Sequence, residues 1–248
     1  MNKFTKKDID SFLTKQPLWT KFVLQPLFKP LIVLIVNKVP WLHPNFITIF
    51  SLFFSFLEVY FFAFVYGYIG VLLGAVFFEL SYFLDCIDGP VARILNKNSK
   101  LGTALDISAD SLRLGGGTLA LVFRTLQNSS NERTILFWGI VLITSHMASM
   151  WVGYKQLFDN LRPSQKIPTN TKEKQKSFFL FIPFLWIADF FVKLSKDDRN
   201  YWLFPTSVEL ETVVYFLLPL MDKLELAVIV GGIWSIANLI AIIIGYVK

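Results

Sequence analysis

The chain of 248 residues is 54% hydrophobic and 17% aromatic, with a mean hydropathy of +0.53, which excludes an ordinary soluble domain. Its formal net charge of +6 then reads as membrane orientation and attraction to anionic lipid, and nucleic-acid binding is not expected. A single cysteine, Cys86, excludes internal disulfides and a multi-cysteine metal centre.

The opening MNKFTKKDIDSFLTKQPLW is charged and lacks a compact apolar run ending in small residues, so no removable signal peptide is expected. Residues 1–44 read as an N-terminal interfacial segment, because 17–39 mixes apolar residues with Lys21, Lys29, Lys38 and three prolines. Residues 45–248 read as the transmembrane domain. Its first span covers about 45–66 from "HPNFIT", and a turn at Gly67 and Tyr68 leads to a second over about 69–95. A third covers about 101–126, a polar loop QNSSNER follows, and a fourth covers about 134–154. The polar, basic stretch after Tyr154 runs into SFFLFIPFLWIADFFVKL, which Pro183 and Asp189 interrupt, and which reads as a central interfacial helix over 177–194. Spans over about 205–221 and 224–247 bring the total to about six. The apolar runs show no alternating pattern, so the expected fold is an all-α, multi-pass integral membrane protein with interfacial helices at its N-terminus and centre.

Basic residues set the orientation. Arg93, Lys97 and Lys100 in one loop, and Lys155, Arg162, Lys166, Lys172, Lys174 and Lys176 in another, place both loops on the cytoplasmic side, and both termini with them.

Four acids stand out against this apolar background. Asp85 and Asp88 lie three positions apart at the end of the second span, and Asp106 and Asp110 four apart near the start of the third, so each pair shares a helix face. A short basic loop makes the two helices antiparallel neighbours, so the four carboxylates converge at the cytoplasmic membrane boundary. Carboxylates gathered in this way repel one another and attract cations. Oxygen-only ligands favour magnesium, manganese or calcium, and the isolated His43 and His146 argue against zinc. Gly89, Ala92 and Gly102 leave room for a ligand to approach backbone, which suits a metal-bound pyrophosphate. A divalent-cation transporter is the competing class, but it would carry its acids near mid-membrane on several helices.

The stretch Asp85-x-x-Asp88-Gly89-x-x-Ala92-Arg93, then eight residues, then Gly102-x-x-x-Asp106-x-x-x-Asp110, resembles the complete signature of the CDP-alcohol phosphotransferase (CDP-alcohol phosphatidyltransferase) family. The six-span pattern is similar to the short form of that family. The resemblance implies an enzyme of phospholipid or head-group biosynthesis that cleaves a CDP-linked alcohol at its pyrophosphate, passes the substituted phosphoryl group to an acceptor alcohol and releases CMP. One of the two alcohols is then a lipid, and a homodimer is implied by likeness. By the same resemblance Asp85, Asp88, Asp106 and Asp110 hold two Mg2+ or Mn2+ ions, and Asp110 also acts as the base. CDP contacts fall on Gly89, Arg93, Ser99 and Gly102, and on Asn45, Phe46, Ile47 and Thr48, a segment similar to the family's at the start of its first span. An N-cap role explains Asn45 or Thr48 equally well.

Arg113 shares the face of Asp106 and Asp110 one turn deeper, where it serves either a phosphate on the acceptor or the acids as a buried counter-charge. Relatives that use inositol phosphate carry an arginine directly after the last Asp. Ser111 stands there in this chain, which argues against that acceptor. The lead-in PLFKPLIVLIVNKVPWLHPNFIT is similar to that of choline and ethanolamine phosphotransferases, which points to a head-group donor. The alternative is transfer of a phosphatidyl group from CDP-diacylglycerol to a small polar alcohol such as glycerol phosphate, inositol phosphate or serine. Gly115 to Gly117 are read as a close helix-packing site.

Overall fold

The computed structural model describes residues 4–13, 16–161 and 207–247, and these form helices joined by short turns. The sequence of elements is α1 (Lys6–Asp10), α2 (Gln25–Lys38), α3 (Pro44–Phe64), α4 (Gly67–Ile94), α5 (Lys100–Asp110), α6 (Gly117–Asn128), α7 (Glu132–Leu161), α8 (Ser207–Thr212), α9 (Leu218–Leu220) and α10 (Leu224–Val247). π-Helical turns at Thr20–Leu24, Ser111–Gly116 and Val213–Leu217 lead into α2, join α5 to α6 and join α8 to α9. The protein is an all-α membrane protein.

Among the described residues three helices are long and apolar enough to cross a membrane: Thr20–Lys38, Pro44–Phe64 and Gly67–Ile94. Leu224–Ile240 is a shorter apolar stretch. The first of these overlaps 17–39, which read as interfacial because of its prolines and lysines, and its length and apolar composition also suit a span. Pro26 falls in the first turn of α2, where a missing N–H removes no helical bond, so Pro30 alone is interior. Lys29 is drawn to Asp10 of the N-terminal segment by a salt bridge at 2.5 Å. The third expected span is a helix interrupted by a π turn; it buries Arg113 and Arg124 and exposes Leu119 and Phe123 on the other side. The central interfacial helix expected over 177–194 lies outside the described residues.

Two apolar clusters hold the bundle, one toward each end of α4. Phe62, Phe78, Leu121, Tyr215 and Val228 join α3, α4, α6, the third π turn and α10. Phe28, Ile32, Ile47, Ile87 and Val91 join α2, α3 and α4 around the acid-bearing end, and Ile9 brings α1 into the same cluster. α1 is closed by a capping box in which the Thr5 amide and hydroxyl both donate to Asp8, and those bonds hold that exposed carboxyl below its usual pKa.

Small and hydroxylated residues bring α3 close to α4. Ser51 Oγ donates to the Ser81 carbonyl at 2.9 Å, and the Ser55 and Ser81 hydroxyls lie 2.8 Å apart, so polar groups in an apolar bundle satisfy one another. The glycine triplet also works through packing. A Cβ on Gly117 would overlap Oε1 of Glu58, a fully buried residue whose carboxylate oxygens have no hydrogen-bond partner among the described residues. Gly117→Ala is therefore expected to lower stability by about 1–3 kcal/mol through overpacking, read as a lower unfolding temperature in detergent.

Candidate active site

The acids sit where two helices turn back on each other. α4 runs 28 residues from the far end of the bundle and delivers Asp85 and Asp88 to its last turns, and α5 begins after a turn at residues 95–99. Ser99 caps α5, its Oγ accepting from the Gly102 amide at 2.9 Å, and this cap fixes the register of Asp106 opposite α4. One carboxylate oxygen each from Asp85, Asp88 and Asp106 lie within 4.8 Å of one another. Asp88 is only 7% exposed and accepts from Thr48 Oγ1 at 2.6 Å, which fixes its orientation. Three oxygen donors this close could hold a hard divalent cation.

Asp110 stands beside this triad rather than in it. Arg113, three residues on and therefore on the same face, donates from Nη2 to Asp110 Oδ1. Arg113 is 4% exposed and lies with its guanidinium 5.0 Å from the Tyr82 ring centre and 5.7 Å from that of Phe78. Nη2 of Arg113 thus acts as a counter-charge to Asp110, while its buried Nη1 has no hydrogen-bond partner among the described residues. Asp110 keeps about a third of its side chain exposed.

A cleft of about 210 Å3 opens beside the triad. Asn45, Thr48, Gly89, Arg93, Ser99 and Gly102 all line it together with Asp88 and Asp106. Phe46 and Ile47 do not. Asn45 and Thr48 stand three apart on one face of α3, which turns Phe46 outward at 55% exposure and packs Ile47 in the core. The N-cap of α3 is His43, whose Nδ1 accepts from the Asn45 amide at 3.3 Å, so neither Asn45 nor Thr48 serves as the cap. The Asn45 side chain instead faces α5. A Cβ on Gly102 would meet Asn45 Oδ1 at 2.9 Å and Ser99 Oγ at 3.1 Å, so the glycine allows α3 to approach the start of α5.

Gly89 behaves differently. A Cβ there would meet only the Arg93 guanidinium, at 3.4 Å, and otherwise project into the cleft. Gly89→Ala is thus expected to fold with an unchanged unfolding temperature while raising the KM for a cleft-bound substrate about tenfold, near the ~1.4 kcal/mol of a one-carbon obstruction. Steady-state kinetics alongside thermal unfolding separate the two effects.

Lys97 and Asn98 also line the cleft; Lys97 entered the sequence reading only through loop charge, and Asn98 did not enter it. Arg93 Nε donates to the Phe12 carbonyl at 3.1 Å, so the N-terminal segment helps to aim this cation. Lys97 Nζ donates to the Pro40 carbonyl at 2.7 Å. The rim of the cleft is therefore basic and its floor acidic, an arrangement suited to an anionic ligand bridged to the acids by metal.

No curated protein matches the chain. The model of the family described as CDP-alcohol phosphatidyltransferase matches residues 41–213, a segment that contains the acid triad, Asp110, Arg113 and every described residue lining the cleft. With well over half of its length matched, the chain belongs to the CDP-alcohol phosphatidyltransferase family and is a transferase.

Proposed function

We propose that the protein transfers a substituted phosphoryl group from a CDP-linked alcohol to an acceptor alcohol at the cytoplasmic face of a membrane, releasing CMP, in phospholipid or head-group biosynthesis. The observation that carries this reading is the Asp85–Asp88–Asp106 triad at the edge of a basic-rimmed cleft kept open by Gly89. The triad and Asp110 would hold two Mg2+ or Mn2+ ions. Their fit rests on the all-oxygen donor set, its close spacing and its burial. When bound, such ions neutralise charge on the pyrophosphate and on the departing CMP.

The chain's own residues do the rest. Arg93 and Lys97 attract the diphosphate, and Arg93 offers it a planar fork. Gly89 and Gly102 let the nucleotide come close to backbone, and Thr48 keeps the Asp88 carboxylate in one orientation. The carboxylate of Asp110 takes the proton of the acceptor hydroxyl while Arg113 holds it in place. The acceptor oxygen then bonds to the phosphorus that carries the donor alcohol, the P–O–P bridge breaks on the far side, and the electron pair leaves with CMP. Fixing the two substrates in line supplies much of the rate.

The family description itself favours a second reading, transfer of a phosphatidyl group from CDP-diacylglycerol to a small polar alcohol. A panel of donors separates the two. Purified protein is given CDP-choline or CDP-ethanolamine with diacylglycerol, or CDP-diacylglycerol with glycerol phosphate or serine, and CMP is measured. CMP in the first pair of arms supports the head-group donor, and CMP in the second pair alone replaces it with the phosphatidyl donor. No CMP from any arm rejects both.

A further inference from the structure

A cleft of about 650 Å3 lies not at the acids but at the opposite end of the bundle. It opens between the start of α4, the end of α6 and the turn before α10. Gly67 on its wall and Asp88 in the active site are separated by 21 positions of α4, about 31 Å of helical rise, close to the thickness of a bilayer core.

Its floor carries a fixed charge. Arg124 is 2% exposed, donates from Nη2 to the Gly67 carbonyl at 2.7 Å and lies 5.7 Å from the Tyr66 ring centre. Its Nε is buried without a hydrogen-bond partner, and no carboxylate forms an ion pair with it among the described residues. A buried guanidinium with an unused N–H, in a cleft large enough for a ligand, calls for an anion. Lys223 adds a second cation at the rim.

The remaining lining narrows the ligand further. Asp222 and Glu225 are exposed at the same rim and would repel a bare polyanion, yet they suit a ligand that carries a cation beyond its phosphate. Val71, Leu226 and Ile229 give the cleft an apolar wall, and the exposed Tyr66, Tyr68 and Ile69 mark the depth at which head groups meet acyl chains. We propose that this cleft binds the head group of a zwitterionic phospholipid in the leaflet opposite the active site, with the phosphate on Arg124 and Lys223 and the ammonium facing Asp222 and Glu225. The site is separate from the acid cluster and does not depend on the identity of the reaction.

Thermal unfolding of the purified, delipidated full chain tests this. Dioctanoyl phosphatidylethanolamine is titrated in parallel with dioctanoylglycerol, which lacks phosphate, and with inorganic phosphate. The lipid is expected to raise the unfolding temperature more than dioctanoylglycerol, which the proposed reaction also admits at the acid cluster as an acceptor, and this excess to persist in Asp106→Asn. Lys223→Gln, an exposed rim change that leaves CMP release intact, is expected to weaken the apparent affinity about fivefold. Arg124→Lys, which keeps the charge and loses the fork, is expected to weaken it at least as much. Should Arg124→Lys fail to fold, the Lys223 variant still decides. An equal rise with dioctanoylglycerol, a Lys223→Gln protein that responds like the wild type, or loss of the response in Asp106→Asn overturns the proposal. An equal rise with inorganic phosphate replaces the lipid by a free anion and overturns it likewise.

Discussion

Asp85→Asn and Asp106→Asn are each expected to lower CMP release about 10³-fold, the equivalent of ~4 kcal/mol of lost transition-state stabilisation, while leaving the fold intact. The two effects separate because of where the acids sit. Each supplies one of three carboxylate oxygens within 4.8 Å, so each is a large part of any cation's coordination. In the metal-free protein the same closeness is a repulsion, and removing one charge relieves it. The unfolding temperature without metal is therefore expected to stay level or rise in these variants, whereas the wild type gains more when Mg2+ is added. Activity loss accompanied by a fall in metal-free stability would mean that the acids serve as structural ion-pair partners instead.

Asp110→Asn is expected to combine the losses differently. As the base for the acceptor hydroxyl, Asp110 supplies about 10²–10⁴-fold in rate, and that factor should appear in kcat with the donor KM little changed. It is also the partner of Arg113, which is buried beside Tyr82 and Phe78. An amide can still accept from Nη2, but the guanidinium is left without that compensating charge. Stability is expected to fall by about 1–3 kcal/mol, less than for a fully buried pair because Asp110 is partly exposed. Initial rates with donor and acceptor varied in turn, together with thermal unfolding, distinguish this pattern from that of Asp106→Asn. A variant of Asp110 that loses donor affinity without loss of kcat would remove it from the role of base.

The acids were legible in the sequence because helical spacing alone places Asp85 with Asp88 and Asp106 with Asp110, and a short loop leaves the two helices few ways to meet. Their division into a triad and a separate Asp110 was not, because it depends on which carboxylate the Arg113 side chain reaches. The same limit applies to α3. The sequence marked Asn45 to Thr48 as one segment, yet a helix presents only Asn45 and Thr48 to the cleft and sends Phe46 and Ile47 elsewhere. Thr48 held a further role, its bond to Asp88, which joins residues 40 positions apart and leaves no local pattern. Lys97 looked like a topology signal because a basic loop beside a span has that meaning whether or not it lines a cleft.

At Thr20–Lys38 the prolines and lysines argued for an interfacial placement, while the helix is also long and apolar enough to cross a membrane; Pro26 in the first turn of α2 and the Lys29–Asp10 salt bridge keep the helix intact in either placement. The cleft around Arg124 had no local pattern of any kind. Its parts come from Gly67 to Val71, Arg124 to Asn128 and Asp222 to Ile229, which only the packing of α4, α6 and α10 brings together.

The central claim is that the Asp cluster serves CDP-alcohol chemistry through bound divalent cations. Its most direct test is CMP release from a CDP-linked alcohol by one preparation of the purified protein, first stripped with EDTA and then resupplied with Mg2+ or Mn2+. Release is expected to fall to background on stripping, to return with either ion, and to stay absent in Asp106→Asn at any metal concentration. CMP release that continues undiminished in EDTA, or that Asp106→Asn retains, would contradict the account.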